Sequence, residues 1–548
     1  MSANDVNGMI HDVSFVELAA SPALYMGMGK QLKAGRIRSV MVGMALVALA
    51  ACQNGNGGNP MSVGPATPQR GSLIQSPVQK VGSYSVDDLL AMLGVSELGK
   101  TLLQLTYSPL CTISVYHMEY ETVDPAGNLT PASGALMVPS GTGTCQGGRP
   151  IVLYAHGTVT DRDYNIAELG ASDNDQGLLL AAVFAAEGYI VVAPNYVGYD
   201  TSTLGFHPYL DADQQSADMI DALTAARSAL PASAAPSTTD GGKLFITGYS
   251  QGGFVAMATQ RAMQAAGMTV TAAAPLSGPY ALSAFADAVV EGEVSVSSPE
   301  NFVMLVTSYQ DVYGNIYTAT TDMFNAPYAA GIATLLPSTT PLGDLESAGK
   351  IPTSELFSST PPAVSYASLT PATAPANLAP AFALGFGPDY LIINSYRLSY
   401  LEDAQSSPDG GFPILTNGLP PANPQNGLRQ DLKTNDLRTW APAAPVLLCA
   451  GNSDPTVFYL NTELIQGYWA ASAPSAPVTV LDIDSPVTTN DPYAALKHEF
   501  VVAKDLVIAS AVAGGATDGG ALAVLQDYHG GLVPPFCFSA ARSFFDAQ

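Results

Sequence analysis

Short apolar runs alternate with longer stretches of helical length between residues 149 and 280. The runs at 149–157 (RPIVLYAHG), 189–198 (YIVVAPNYVG) and 243–248 (KLFITG) have the composition of strands buried on both faces. Each run is followed by a helical stretch, such as GGFVAMATQRAMQAAG from residue 252. Strands and helices that alternate at these lengths predict an α/β fold with a mostly parallel central sheet.

The alternation stops after residue 280 and resumes at 444–451 (APVLLCAG). A structureless loop of that length inside a compact domain is uncommon, so the intervening segment is expected to fold by itself. We therefore predict a core in two parts, 81–280 and 441–548, separated by an inserted and largely helical cap or lid at 281–440.

The N-terminal segment has the pattern of a secretion signal. Basic residues precede an apolar run at 40–51, which is shorter than the roughly 20 residues that a spanning helix needs. The run ends in LAAC, which resembles the lipobox of bacterial lipoproteins and implies cleavage before Cys52 and lipidation of that residue. A plain signal peptide with an incidental cysteine is the alternative.

These features divide the N-terminal region into an upstream extension with a signal peptide, 1–51, and a flexible Gly/Asn/Pro-rich tether, 52–80. The protein is expected to be exported and then held on a bacterial membrane by its lipid or released. Only this anchor is expected to contact the membrane. The formal charge of −26 would repel phosphate backbones, so nucleic acid is excluded as a partner.

The four cysteines that remain after Cys52 predict two disulfides in an exported chain. Cys111 and Cys145 lie near the open end of a predicted hairpin, which favours their pairing and leaves Cys449 with Cys537. The sequence contains no Cys-x-x-Cys motif and no His/Cys cluster with metal-ligand spacing, so we predict no metal site.

Ser250 is the candidate nucleophile. It lies in GYSQG, between the predicted strand KLFIT and the helix that follows, as in a nucleophile elbow. Such a turn exposes the serine and places its oxygen near backbone N–H groups at the start of the helix. We predict an oxyanion hole from the N–H of Gln251 and that of Thr158 or Gly157, in the loop after the strand IVLYA.

Asp454 is the candidate acid, because it follows the buried run APVLLCAG at the carboxyl edge of the predicted sheet, where catalytic loops gather. The alternative is that Asp454 only caps a helix beginning at Pro455. His529 is the candidate base, in a Gly/Pro-rich loop before the last helix, and His498, in a predicted helix, is the alternative. His156 is expected to be structural.

The order Ser250, Asp454, His529 is the order of triad residues in α/β-hydrolases. The segments YAHGT, GYIVVAPNYVGYDTS, HPYLDADQQSADMIDALTAAR and GYSQGG resemble the secretory-lipase branch of that fold. The resemblance implies hydrolysis of carboxylic esters, often lipid esters, beneath a helical cap and without a cofactor. We therefore expect an exported serine esterase or lipase acting on small-molecule or lipid esters. A serine peptidase of the same fold and a non-catalytic binding lipoprotein are the alternatives.

Overall fold

The computed structural model describes residues 68–95, 97–105, 109–171, 174–233, 238–413 and 419–548. The predicted signal peptide, Cys52 and the first part of the tether lie outside the described residues. Within them, no helix is long and apolar enough to cross a membrane.

The strands follow the alternation seen in the sequence, with one strand added before the predicted hairpin and two short strands added in the inserted segment. They are β1 (Gln79–Tyr84), β2 (Thr112–Val123), β3 (Leu129–Ser140), β4 (Gly147–Ala155), β5 (Ile190–Pro194), β6 (Thr238–Tyr249), β7 (Ala272–Leu276), β8 (Phe357–Ser358), β9 (Phe386–Gly387), β10 (Val446–Ala450) and β11 (Val478–Asp482).

Helices cover the sheet, and others lie in the segment between β7 and β10 together with turns and two short strands. They are α1 (Val86–Leu93), α2 (Glu97–Gln104), α3 (Asp175–Val183), α4 (Ala212–Ser233), α5 (Gln251–Ala265), α6 (Leu282–Val290), α7 (Ser298–Tyr313), α8 (Ala326–Ala329), α9 (Leu342–Ser347), α10 (Ala379–Leu384), α11 (Asn394–Ser406), α12 (Gly427–Asn435), α13 (Leu460–Ser472), α14 (Ala494–Ala513), α15 (Ala521–Asp527) and α16 (Val533–Asp546).

Nine of these strands form one sheet, in the order β1-β2-β3-β5-β4-β6-β7-β10-β11. Neighbouring strands among β5, β4, β6, β7, β10 and β11 pair in parallel, and β1, β2 and β3 add an antiparallel edge. Every residue of β5, β7 and β10 is buried, which explains why these strands read as continuous apolar runs. The prediction of a mostly parallel sheet is confirmed.

The first described residues differ from the predicted tether. The backbone N–H of Gly71 donates to the Glu121 carbonyl at 2.8 Å, and Arg70 Nε lies 3.0 Å from Asp221 on α4. Residues 68–80 therefore lie against the core instead of hanging free, and β1 begins within them. Backbone hydrogen bonds, the ion pair of Arg70 and the packing of Leu73 and Val78 against the core together hold the segment in place.

Buried ion pairs hold the segment between β7 and β10 together. Arg429 on α12 contacts Asp287 on α6 and Asp403 on α11, each at 2.7 Å. The three side chains are almost completely buried. A guanidinium group with several donors in one plane can satisfy two carboxylates at once, so these contacts fix the three helices relative to one another.

Both predicted disulfides are confirmed. Cys111 pairs with Cys145 across the hairpin of β2 and β3, with Cα atoms 5.4 Å apart. Cys449 on β10 pairs with Cys537 on α16, with Cα atoms 5.6 Å apart. Disulfides persist in oxidising compartments, so both bonds are consistent with an exported protein.

Candidate active site

Ser250 lies on a sharp turn between β6 and α5. Its φ of 60° is in the left-handed region, which a serine adopts at a cost of about 1–3 kcal/mol. A Cβ at Gly248 would lie 2.3 Å from the carbonyl oxygen of Gly252, and one at Gly252 would lie 2.0 Å from that of Ala155. The glycines of GYSQG are therefore required by close backbone contacts on both sides of the serine.

Asp454 and His529 form a hydrogen-bonded pair. Nδ1 of His529 lies 2.6 Å from Oδ2 of Asp454, whose side chain is fully buried. The other carboxylate oxygen, Oδ1, accepts the backbone N–H groups of Thr456 and Val457, at 2.9 and 3.0 Å. A carboxylate on Nδ1 favours the tautomer with the proton there, which leaves Nε2 as a proton acceptor. Nε2 is buried and has no hydrogen-bond partner among the described residues.

No helix begins at Pro455, so the alternative role of Asp454 as a helix cap is corrected: α13 starts only at Leu460. The Asp454 carboxylate holds a turn and His529 at the same time. The sequence predicts that His529 lies in a loop, and the structure corrects this. His529 lies in a π-helical turn, Tyr528–Leu532, that joins α15 to α16 without a break.

Two tyrosine hydroxyls hold this turn in place. The Tyr249 hydroxyl donates to the backbone carbonyl of His529 at 2.8 Å, and the two rings lie 5.0 Å apart. The Tyr528 hydroxyl donates to Asp484 Oδ2 at 2.8 Å, beyond the end of β11, and accepts the N–H of Ser453 at 3.3 Å. Burial raises the pKa of Tyr249 above its usual value, so this hydroxyl keeps its proton. Neither tyrosine was identified from the sequence, although Tyr249 is part of GYSQG.

Two cavities meet at Ser250. The outer cavity has a volume of about 810 Å³ and is lined by Ser250 and His529 together with residues such as Thr158, Glu300 and Asp527. The apolar pocket is a smaller space of about 80 Å³, and its walls include Leu282, Phe285, Ala286, Val289, Phe302 and Leu305. Helices α6 and α7 supply half of the residues that line this pocket, so the segment inserted after β7 shapes the space beside the serine.

The predicted oxyanion donors differ in their availability. Gln251 is the first residue of α5, so its N–H has no acceptor within the helix. The N–H of Gly157 donates to Gln176 Oε1 at 2.8 Å and is therefore already used, which corrects its assignment as a donor. Thr158 lines the outer cavity, and its hydroxyl lies 2.7 Å from that of Tyr209.

The other histidines of the described ranges line neither cavity. His498 is exposed on α14 and lines neither the outer cavity nor the apolar pocket. His156 is buried beside the carbonyls of Gly157 and Asn195, and burial lowers its pKa to about 4. His207 is also buried with a pKa lowered to about 3, and its Nε2 accepts the Gln251 side-chain amide at 2.8 Å. It thus orients the residue that follows Ser250.

Comparisons with known proteins agree with this architecture. Residues 179–283 match the prolyl oligopeptidase family. The structure is similar to that of the rice cell wall degrading esterase LipA from Xanthomonas oryzae, with a TM-score of 0.61 and 25% identity over 88% of this chain and 100% of that chain. The chain has the α/β-hydrolase fold.

A putative hydrolase from Legionella pneumophila shares this fold at 21% identity, with a TM-score of 0.55 over 79% of this chain and 96% of that chain. A ligand-bound form of LipA matches with 26% identity, a TM-score of 0.61 and the same coverage as the first LipA structure. No curated protein sequence matches the chain. The α/β-hydrolase fold and the esterase neighbours support a serine hydrolase, and the secretory-lipase branch stays a prediction.

Proposed function

We propose that the protein is a serine carboxylic-ester hydrolase, an esterase or lipase that works through an acyl-enzyme. The observation that carries the proposal is the 2.6 Å contact between His529 and Asp454, made by a ring that lines the same cavity as Ser250. The strained backbone of Ser250 supports it, because a nucleophile elbow holds its serine in such a turn. In the described part of the chain no other group occupies His529 Nε2, so this nitrogen is available to accept a proton.

The reaction follows from these groups. His529 Nε2 takes the proton of Ser250 as its oxygen attacks the ester carbonyl, and the buried Asp454 carboxylate stabilises the imidazolium. The N–H groups of Gln251 and Thr158 would stabilise the oxyanion, each contributing about 3 kcal/mol. His529 then protonates the leaving alcohol. A water activated by the same ring releases the acid.

The two cavities suggest how an ester is oriented. The apolar pocket would take the acyl chain, because its walls are aliphatic and aromatic side chains of α6 and α7. The larger outer cavity, with polar and acidic groups, would take the alcohol. We propose that residues 281–440 act as the cap, since both helices belong to this segment. The likeness to an esterase supports an ester substrate.

A serine peptidase is the second candidate, favoured by the match to the prolyl oligopeptidase family. That match spans 179–283 and so includes the elbow but neither Asp454 nor His529. It supports the nucleophile without selecting the bond that is cleaved. Rates on p-nitrophenyl esters and aminoacyl p-nitroanilides would separate the candidates, and we expect turnover of the esters alone.

Active-site labelling tests the proposal directly. A fluorophosphonate should phosphonylate the wild-type protein and the Ser308→Ala variant, which loses a buried hydroxyl of α7 that lines neither cavity. Ser250→Ala should be neither labelled nor active. Labelling that survives in Ser250→Ala would contradict the assignment of the nucleophile. An unlabelled wild type would favour the non-catalytic alternative.

We also propose that the mature chain begins at a lipidated Cys52 and is exported, with a tether shorter than 52–80. The two disulfides support export. Metabolic labelling with an alkyne fatty acid should mark the wild type and not Cys52→Ser. Equal labelling of both would contradict the anchor.

A further inference from the structure

The carbonyl of His529 has an unusual position in the backbone hydrogen bonding of its turn. In a π-helical turn a carbonyl accepts from the N–H five residues ahead. The N–H of Val533 accordingly donates to Tyr528. The equivalent donor for His529 would be Pro534, which has no N–H, and Pro535 has none either. Pro534 therefore leaves the carbonyl of the candidate base without its backbone donor.

The Tyr249 hydroxyl supplies that donor, at 2.8 Å. Tyr249 is the last residue of β6 and directly precedes Ser250. We propose that Tyr249 is a positioning residue that fixes the distance between the candidate base and the nucleophile. Its backbone carries Ser250 and its side chain holds His529, so one residue joins the two reacting groups. This inference rests on the proposed function.

The role runs through the carbonyl and not through the imidazole. The Tyr249 oxygen lies 3.5 Å from His529 Nδ1, whereas Asp454 Oδ2 lies 2.6 Å from the same atom. Asp454 is thus the closer partner of the ring, and Tyr249 does not replace it. Loss of the hydroxyl should leave the ring paired but free the turn to shift relative to Ser250.

The main test is Tyr249→Phe, which keeps the ring against His529 and removes only the hydroxyl. Misplacement of a reacting group by about 1 Å can cost up to 100-fold in rate. We expect kcat to fall at least about 10-fold with KM unchanged, and fluorophosphonate labelling to slow by the same factor. Tyr328→Phe is the matched control, because that hydroxyl also donates to a backbone carbonyl, of Asp389, but lines neither cavity.

Rescue distinguishes positioning from a general loss of structure. Pro534→Ala restores an N–H five residues after His529. In the double variant Tyr249→Phe/Pro534→Ala this N–H should donate to the His529 carbonyl. The kcat of the double variant should then be at least threefold higher than that of Tyr249→Phe. A Tyr249→Phe enzyme with wild-type kcat, or a double variant no faster than Tyr249→Phe, would overturn the inference.

The wild type and Ser250→Ala keep the two proposals separate. If the wild type neither hydrolyses esters nor reacts with fluorophosphonate, the proposed function fails. If it does both, Ser250→Ala does neither, and Tyr249→Phe matches the wild type, only the positioning role fails. A fall in Tyr328→Phe equal to that in Tyr249→Phe would also overturn the role, because it would reflect a general effect of losing a buried hydroxyl.

Discussion

Replacement of Asp454 by asparagine should remove activity through the tautomer of His529 and not through a loss of structure. The backbone N–H groups of Thr456 and Val457 both donate to Oδ1. They will hold the amide oxygen of the new side chain in that place. The amide NH₂ must then face His529 Nδ1, which becomes an acceptor. The ring proton moves to Nε2, so the base cannot accept the proton of Ser250.

The size of the effect follows from the burial of the pair. Asp454 is fully buried, so no water can replace the lost carboxylate beside Nδ1. The same change in a Ser-His-Asp triad lowers kcat by about 10⁴-fold, which is about 5.4 kcal/mol of transition-state stabilisation. Initial rates on p-nitrophenyl butyrate, with enzyme at high concentration, would measure the residual activity. Fluorophosphonate labelling of Ser250 should slow in parallel.

The matched control is Asp482→Asn. Asp482 ends β11, and its carboxylate accepts the N–H of Asn452, but it does not contact His529. This variant should keep activity within a fewfold of the wild type. A loss of kcat of less than tenfold in Asp454→Asn, or an equal loss in both variants, would contradict this role of Asp454.

Three further variants test other parts of the structure. Removing the Cys449–Cys537 bond, which closes 88 residues, should lower the free energy of unfolding by about 4.6 kcal/mol in denaturant titrations. Burial alone would lower the pKa of His117, but its hydrogen bond to Asp200 and the charge of that residue raise it overall. Burial alone would raise the pKa of Asp200, but the contact with His117 helps to lower it overall. The full stabilisation from this pair is present at pH values between the unfolded pKa of Asp and the unfolded pKa of His. This stabilisation is lost as the pH rises through the folded pKa of His117. His117→Gln should therefore lower Tm more near about pH 5.5 than near about pH 8.5, and equal losses would contradict this. Ala286→Phe should fill the apolar pocket and lower the ratio of kcat/KM for octanoate esters to that for acetate esters by more than about tenfold, because each methylene excluded from the pocket costs about 0.8 kcal/mol. An unchanged ratio would place the acyl chain elsewhere.

The central sheet was predictable because its signal is local. Residues of β5, β7 and β10 are buried on both faces, and continuous apolar runs of that length report such burial directly. Both cysteine pairings followed from the position of one hairpin and from elimination. The contacts that fix the inserted segment left no comparable signal, because Arg429 and its partners are charged residues that a sequence pattern places at the surface.

The candidate base shows why residue type and order were predictable while local structure was not. Gly530, Gly531, Pro534 and Pro535 are turn signals, so the sequence predicts a loop around His529. The structure instead places both prolines in the first turn of α16, a position that tolerates proline, although the missing N–H of Pro534 leaves the His529 carbonyl without its backbone donor. The chain therefore stays helical through His529, and a π-helical turn accommodates the change. A helix holds an imidazole more firmly than a loop does, but only if its orphaned carbonyl finds a donor. That donor comes from a strand 280 residues earlier in the chain, a contact that no local pattern encodes.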